Sequence, residues 1–368
     1  MSPLGELLVR RIRIAGPLTV AEYMAEALGH PQYGYYKQGD PFGLEGDFIT
    51  APEISQMFGE LLGAWCAAAW DSMGRPDPVR LVELGPGRGT LMADALRGTH
   101  KAAGFHAAVD LHMVETSPYL RDRQAETLQR AASAISPSWH DAFDEVPDGP
   151  LLLVTNELFD ALPIHQFEFQ RGRWLERVID VDGSGDGLAF ALRLPGPALA
   201  VATPPPQPPR QGMVIESSPA GIALAAAIGR RVAQHGGAAL IIDYGHDGSG
   251  RGDSLQAVRR HQKHAVLADP GTADLAAHVD FGALARAVRE GGATVHGPIP
   301  QNTLLERLGI KLRAAALARI ATPAQAADLQ AATERLLHLE QMGTLFKALA
   351  IAAPTLPVPP GFDEPPAP

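Results

Sequence analysis

Two hydrophobic periods divide this chain. Near the N-terminus apolar residues recur at helical spacing. Leu18-Thr19-Val20-Ala21-Glu22-Tyr23 sets Thr19 and Glu22 three apart as a capping box, with Leu18 and Tyr23 as a hydrophobic staple and Gly29 as the stop. Ile49-Thr50-Ala51-Pro52-Glu53-Ile54 repeats the arrangement, with Thr50 and Glu53 as the box and Ile49 and Ile54 as the staple. Phe58, Leu61, Leu62 and Trp65 then carry an apolar face toward Gly74. The loop between them, 30–48, holds four glycines and three tyrosines, and long loops of this kind are more often functional than decorative.

From residue 79 the pattern becomes strand, glycine turn, helix. VRLVEL at 79–84 predicts a buried strand ending at Gly85-Pro86-Gly87-Arg88-Gly89, followed by a helix from Thr90 to Arg97 closed by Gly98. VDLHMVE at 109–115 predicts a second strand, with Ser117-Pro118 opening the next helix. A short strand is expected within 138–142, a clear one at 149–157, and another at 237–245 after a helix beginning at Ser218-Pro219. This alternation predicts an α/β fold: a mostly parallel sheet with helices on both faces, plus an N-terminal helical extension. Residues 167–194 carry Arg-Gly and Asp-Gly turn signals and read as an antiparallel β insertion, with a Pro-rich connector at 203–210. Toward the C-terminus, a helix capped by Thr322 and Gln325 spans 323–343, and 346–352 returns as a strand. The expected division is a helical region at 1–78, a first core part at 79–166, the insertion and connector at 167–212, a second core part at 213–353, and a frayed tail at 354–368.

Composition narrows the function classes. Of 368 residues, 46% are hydrophobic and 20% charged, enough for one large or two modest cores. The longest apolar runs, 61–70 and 237–242, fall short of the roughly 18 residues that cross a bilayer, so no membrane insertion is expected. A net charge of −10 without a dense basic block speaks against nucleic acid as a partner. The lone Cys66 lies in an apolar run and reads as core, and no Cys/His spacing suggests a metal. The first residues have neither signal nor transit character, so a reducing cytoplasm is the expected compartment.

The sharpest chemical signal is LVELGPGRGT at 81–90. Glycines let backbone approach a ligand, and the helix N-terminus that follows offers N–H groups and partial positive charge to a carboxylate or phosphate. A dinucleotide fingerprint wants glycine at 85, 87 and 90, but Thr90 takes the third place. A zwitterion fits better: helix N–H groups for its carboxylate, Glu83 and turn carbonyls for its ammonium. S-adenosyl-L-methionine carries both groups on its methionine end. Glu115, closing the next strand, suits the two ribose hydroxyls, or else serves as an anion at a helix N-terminus. Asn156 and Glu157 follow the strand at 149–157, and ligands in open α/β sheets bind beyond such strand ends, so Gly85, Glu115 and Asn156-Glu157 are expected to line one crevice. Asn156 suits the cofactor or a neighbouring turn; Glu157 suits a substrate contact or a helix cap. Asp280 reads as the N-cap of a helix at 281–290, and His278 as either a structural group or a substrate contact.

These segments resemble the MidA family of class I S-adenosyl-L-methionine-dependent methyltransferases. The likeness runs from about residue 16 to 352, through 16–36, 46–65, VELGPGRGTLMADALR at 82–97, NELFDALP at 156–163, IIDYG at 241–245, GDSLQAV at 252–258, DPGTADLAAHVDF at 269–281 and MGTLFKALAI at 342–351. It implies a Rossmann-like class I core with Gly85, Gly87 and Gly89 in the cofactor loop, Glu115 at the ribose and Asn156-Glu157 at the active-site edge. Glu83, Thr90 and Asp141 join the cofactor-binding candidates, with Thr50 and Glu53 in a segment, Gly46 to Glu53, expected to close over the cofactor. Family members often carry a second aromatic where this chain has Leu158-Phe159, a swap that bears on pocket shape.

The resemblance further implies methylation of a protein arginine on a respiratory complex I subunit or similar protein, with S-adenosylhomocysteine as product. Glu157 and His278 are the catalytic candidates. The arginine-rich composition, with lysine only at 37, 101, 263, 311 and 347, looks bacterial. Exposed apolar residues of the β insertion make a homodimer or a client a further candidate partner. Methylation of another acceptor, or S-adenosyl-L-methionine binding by an assembly chaperone without turnover, are the rival readings.

Overall fold

The computed structural model describes residues 1–37, 49–131, 134–204, 208–248 and 252–363. The chain forms two compact units. The core unit comprises Ile49–Leu158, Ala225–Tyr244 and Ala285–Pro368; the companion unit comprises Met1–Phe48, Phe159–Leu224 and Gly245–Leu284. These are not the boundaries expected from sequence: 49–78 belongs with the core, and most of 213–284 with the companion unit.

The core sheet runs Ser138–His140, Val109–Val114, Val79–Leu84, Leu151–Asn156, Gly237–His246, Phe346–Ala352, Thr294–Pro300. The first five strands are parallel, and Phe346–Ala352 is antiparallel to both its neighbours. Continuous apolar runs explain its central strands. Leu151–Asn156 is buried at every position, as expected of a strand covered on both faces. Strand order reverses between Val79–Leu84 and Leu151–Asn156, and at such a switch point the loops leave in opposite directions and open a crevice. Gly85, Glu115, Asp141 and Glu157 each follow the carboxyl end of a core strand.

On one side of this sheet the helices Gln56–Ser72 and Thr90–Thr99 approach closely. A Cβ on Gly63 would lie 2.5 Å from the carbonyl oxygen of Ala95, and one on Gly59 would lie 2.7 Å from that of Leu91, so the contact depends on bare backbone. Gly98, expected to stop the second helix, lies inside it, where a Cβ would sit 3.0 Å from Glu60 Cα. Its small size serves packing rather than termination. Trp65, Phe58, Met92, Phe105 and Cys66 fill the core beneath, and burial lifts the Cys66 thiol to about 12, which leaves it an inert core group.

Thr19 and Thr322 make the capping boxes read from sequence. Thr50 does not: its side chain makes no cap bond, and the expected long helix is broken. Ala51–Ile54 forms one turn, the chain extends at Ser55, and Gln56–Ser72 restarts with Ser55 Oγ accepting from Met57 N. The tail read as frayed from Pro354 keeps contact with the core, through Phe362 and an Arg307 Nη1 bond of 3.1 Å to Gly361 O; residues 364–368 lie outside the description.

In the companion unit the expected β insertion appears as His165–Gln170, Arg173–Val181 and Leu188–Arg193. The first two are joined at Arg171-Gly172, both at positive φ. The sheet also recruits Leu18–Thr19 and Val214–Ser217. A three-stranded sheet of Gln256–Arg259, Gln262–His264 and Asp274–Ala276 has no counterpart in the sequence reading, because strands of three or four mixed residues show no period. Helix packing around Leu4, Leu8, Tyr23 and Met24 completes this unit.

Candidate functional site

The glycine turn takes the form its residues dictate. Gly85, Gly87 and Gly89 have φ of 65°, 52° and 79°, the left-handed region closed to most side chains. Gly89 is the N-cap of Thr90–Thr99 and carries no capping side chain; of the first-turn N–H groups that of Met92 meets Glu83, and a helix start of this kind offers the others to a ligand anion.

Glu83 is 3% exposed on the strand Val79–Leu84, and its Oε2 has no hydrogen-bond partner among the described residues. Burial drives its pKa well above 4.5, opposed by a bond from the backbone N–H of Met92. The carboxyl thus secures the helix start from inside. A carboxyl whose pKa is raised on folding binds its proton more tightly in the folded state. Its contribution is full below about pH 4.5 and is lost as pH climbs toward the folded pKa, each tenfold gain in proton affinity being worth about 1.4 kcal/mol. Glu83→Gln should therefore gain melting temperature relative to wild type between pH 4.5 and 8. Calorimetry at the two ends checks this, and a constant difference would contradict it.

The segment at 50–53 ties two parts of the site together. Glu53 Oε1 accepts from Thr90 Oγ1 at 2.6 Å, and its Oε2 lies 3.4 Å from Arg88 Nη1, which is why this carboxylate does not complete a box with Thr50. Thr50 is buried, and its carbonyl accepts the Glu53 N–H. Next to it, Ala51 N donates to Glu157 Oε1 at 3.3 Å. The Gly46 end of the expected cover lies outside the described residues.

Glu157 ends the strand Leu151–Asn156 at φ 54°, a left-handed conformation rare for a residue with a side chain. Such strain persists where surroundings over-determine it and is concentrated at functional positions. Its backbone N–H reaches Ile242 O at 3.0 Å, and its Oε1 accepts from Asn156 Nδ2 at 3.0 Å. A three-residue turn, Phe159–Ala161, follows in place of a helix for it to cap. Asn156 is 9% exposed, with an Oδ1 that lacks a partner among the described residues.

Glu115 accepts from Ser117 N at 2.8 Å through Oε1, so its carboxylate does serve the helix start at Pro118, and it accepts from Gln124 Nε2 at 3.3 Å through Oε2. Asp141 is largely exposed and receives Arg121 Nη2 at 2.6 Å. Gln124, which the sequence reading passed over, links Glu115 to the glycine turn; an isolated glutamine in a helix carries no local signal.

His278 belongs to the companion unit. There it lines a solvent-open cleft with Phe159, Glu216, Ser217, His246 and Asp280. Its backbone N–H donates to Ser254 Oγ at 2.8 Å, and that hydroxyl donates to Glu216 at 2.5 Å. Burial holds the imidazole below its usual pKa. Asp280 accepts from Ala283 N at 2.9 Å, the helix cap expected of it. Among the described residues no helix is long and apolar enough to cross a membrane, and no group of three or more His, Cys, Asp or Glu could hold a metal ion.

A family model described as an S-adenosyl-L-methionine-dependent methyltransferase matches residues 61–299. The chain is 40% identical to the mitochondrial protein arginine methyltransferase NDUFAF7 homolog of Drosophila melanogaster, over 95% of this chain and 84% of that protein. To the Homo sapiens protein arginine methyltransferase NDUFAF7 it is 36% identical over 95% and 83%. Among solved structures, a COG1565 superfamily member from Burkholderia thailandensis bound to S-adenosyl-homocysteine superimposes with a TM-score of 0.81 at 29% identity, covering 98% of this chain and 92% of that one.

Proposed function

The chain belongs to the MidA family of S-adenosyl-L-methionine-dependent methyltransferases, and from that premise we propose that it transfers methyl groups to a protein arginine, with Glu157 holding the acceptor guanidinium. The observation that carries the reading is the strained Glu157 at the strand end, in the same unit as the glycine turn.

The residues present suit the cofactor. The start of Thr90–Thr99, where Gly89 supplies no capping side chain, matches its carboxylate, and the Glu115 carboxylate matches its ribose hydroxyls. The orphaned Oδ1 of Asn156 offers an acceptor to its ammonium or adenosyl end. Asp141, past the strand Ser138–His140, is proposed for the adenosyl end as well. Thr90 and Glu53 act through each other, fixing the turn against the 50–53 segment. Glu83 supports the same turn from below.

S-adenosyl-L-methionine supplies, when bound, a methyl group activated by a positively charged sulfur. The protein's share is to orient the acceptor and manage its proton. A guanidinium loses its proton only above about pH 12, so prior deprotonation is excluded at neutral pH. Glu157 would align one nitrogen and draw off its proton late, as positive charge accumulates on the acceptor, and a carboxylate placed there favours the transition state over the free substrate. His278 is proposed as a further catalytic group; the cleft it lines lies within the companion unit.

A subunit of respiratory complex I is the proposed acceptor, the cytoplasm the proposed compartment, and a second copy of the chain a proposed partner. Incubating the protein with isotopically labelled S-adenosyl-L-methionine and a proteome lacking this enzyme, followed by mass spectrometry, should place label on arginine. Label on lysine or a small molecule instead would replace the arginine assignment.

A further inference from the structure

Gln124 sits on the helix Pro118–Ala131 and is 0% exposed. Its amide has three hydrogen-bonded neighbours. Trp139 Nε1 lies 2.8 Å from Oε1, while Nε2 lies 2.8 Å from Gly87 O and 3.3 Å from Glu115 Oε2. Chemistry alone fixes which way this amide points. An indole nitrogen only donates, whereas a backbone carbonyl and a carboxylate only accept, so the oxygen must face Trp139 and the NH₂ must face the other two. The same residue also limits the turn sterically, since a Cβ on Gly89 would sit 3.3 Å from Gln124 Cα.

We propose that Gln124 is a positioning residue for the methyl donor: it locks the Glu115 carboxylate and the Gly87 carbonyl into one rigid frame and so sets the enzyme's preference for a ribose over a deoxyribose nucleoside. Glu115 is gripped at both oxygens, by Ser117 N on Oε1 and by Gln124 on Oε2, which fixes the plane of its carboxylate. A carboxylate offers about four lone-pair directions, and holding its plane decides where the remaining ones point. The grip on Gly87 couples that plane to the turn, so sugar and amino-acid ends of the donor are read by a single connected network. This rests on the assignment of Glu115 to the ribose made above.

The test compares affinities of S-adenosylhomocysteine and its 2′-deoxyribose analogue by calorimetry in wild type, Glu115→Gln, Gln124→Met and Trp139→Phe. Wild type should favour the ribose form about 10- to 100-fold, the size of a hydrogen bond to a charged group. Gln124→Met keeps the side-chain length without the amide and should cut that ratio below about threefold; a mere loss of stability would weaken both ligands equally and leave the ratio intact. Trp139→Phe frees the oxygen end of the amide and should lower the ratio in the same direction, and it carries the test if Gln124→Met does not fold. An unchanged ratio in the folded Gln124 or Trp139 variant, alongside a collapsed one in Glu115→Gln, overturns the role of Gln124 and leaves the ribose assignment standing. A wild type without preference refutes the ribose assignment itself and the inference with it.

Discussion

Glu157→Gln is expected to slow methyl transfer to protein by about 10²- to 10⁴-fold, the usual worth of a positioned acid or base, while S-adenosylhomocysteine affinity stays within about threefold of wild type. Glutamine has the shape of glutamate, and its carbonyl oxygen can still accept from Asn156 Nδ2 or Ala51 N, so the backbone conformation and its neighbours survive. On the proposed mechanism, what disappears is the charge that faces the developing positive acceptor and the base that removes its proton. Because the loss concerns a transition-state interaction, it should fall on kcat more than on KM. Single-turnover methylation with labelled donor, paired with calorimetry, separates the two effects. A rate equal to wild type would remove Glu157 from the mechanism.

The second large effect is expected at the glycine turn. Gly85→Val should weaken S-adenosylhomocysteine binding by at least about 100-fold, because a β-branched side chain at φ 65° costs roughly 1–3 kcal/mol of backbone strain and meets Leu158 as well. An ideal Cβ there stands 2.9 Å from Leu158 Cδ1, and the turn must move to admit it. Gly172→Ala provides the control. That glycine has φ 80° in the hairpin of the companion unit, with nothing within 4 Å of an added Cβ. It should lose stability with donor affinity unchanged. Equal loss of affinity in the two variants would show that strain anywhere, and not the shape of this turn, weakens binding.

The parts of the fold that were legible in the sequence share one property: their causes lie within a few residues. Thr19 with Glu22 and Thr322 with Gln325 close their boxes across three positions. The runs at 151–154 and 238–242 declare buried parallel strands by continuous apolar character, and those at 79–84 and 109–114 by apolar residues leading into a turn and a helix. Gly85, Gly87 and Gly89 declare a left-handed turn because little else tolerates one. The failures share the opposite property. Thr50 and Glu53 have the spacing of a box, yet Glu53 is 37 positions from the Thr90 hydroxyl it accepts, and that contact exists only once a helix and a turn have been brought together. Gly98 looks like a stop and is a packing site, for the same reason.

Sequence alone determined the α/β alternation, the glycine turn, and the acids at the strand ends that point to a zwitterionic nucleoside donor. Tertiary structure decided what surrounds each of those acids. Glu83 is sealed beneath a helix, Glu115 is gripped by Gln124, and Glu157 is held in a strained backbone beside Asn156 and Ala51. The physical reason is that periodicity and turn chemistry are local, whereas the cost of an ionised carboxylate depends on how much water and which donors surround it. Those surroundings come from segments tens of residues away and are fixed only when the chain has packed.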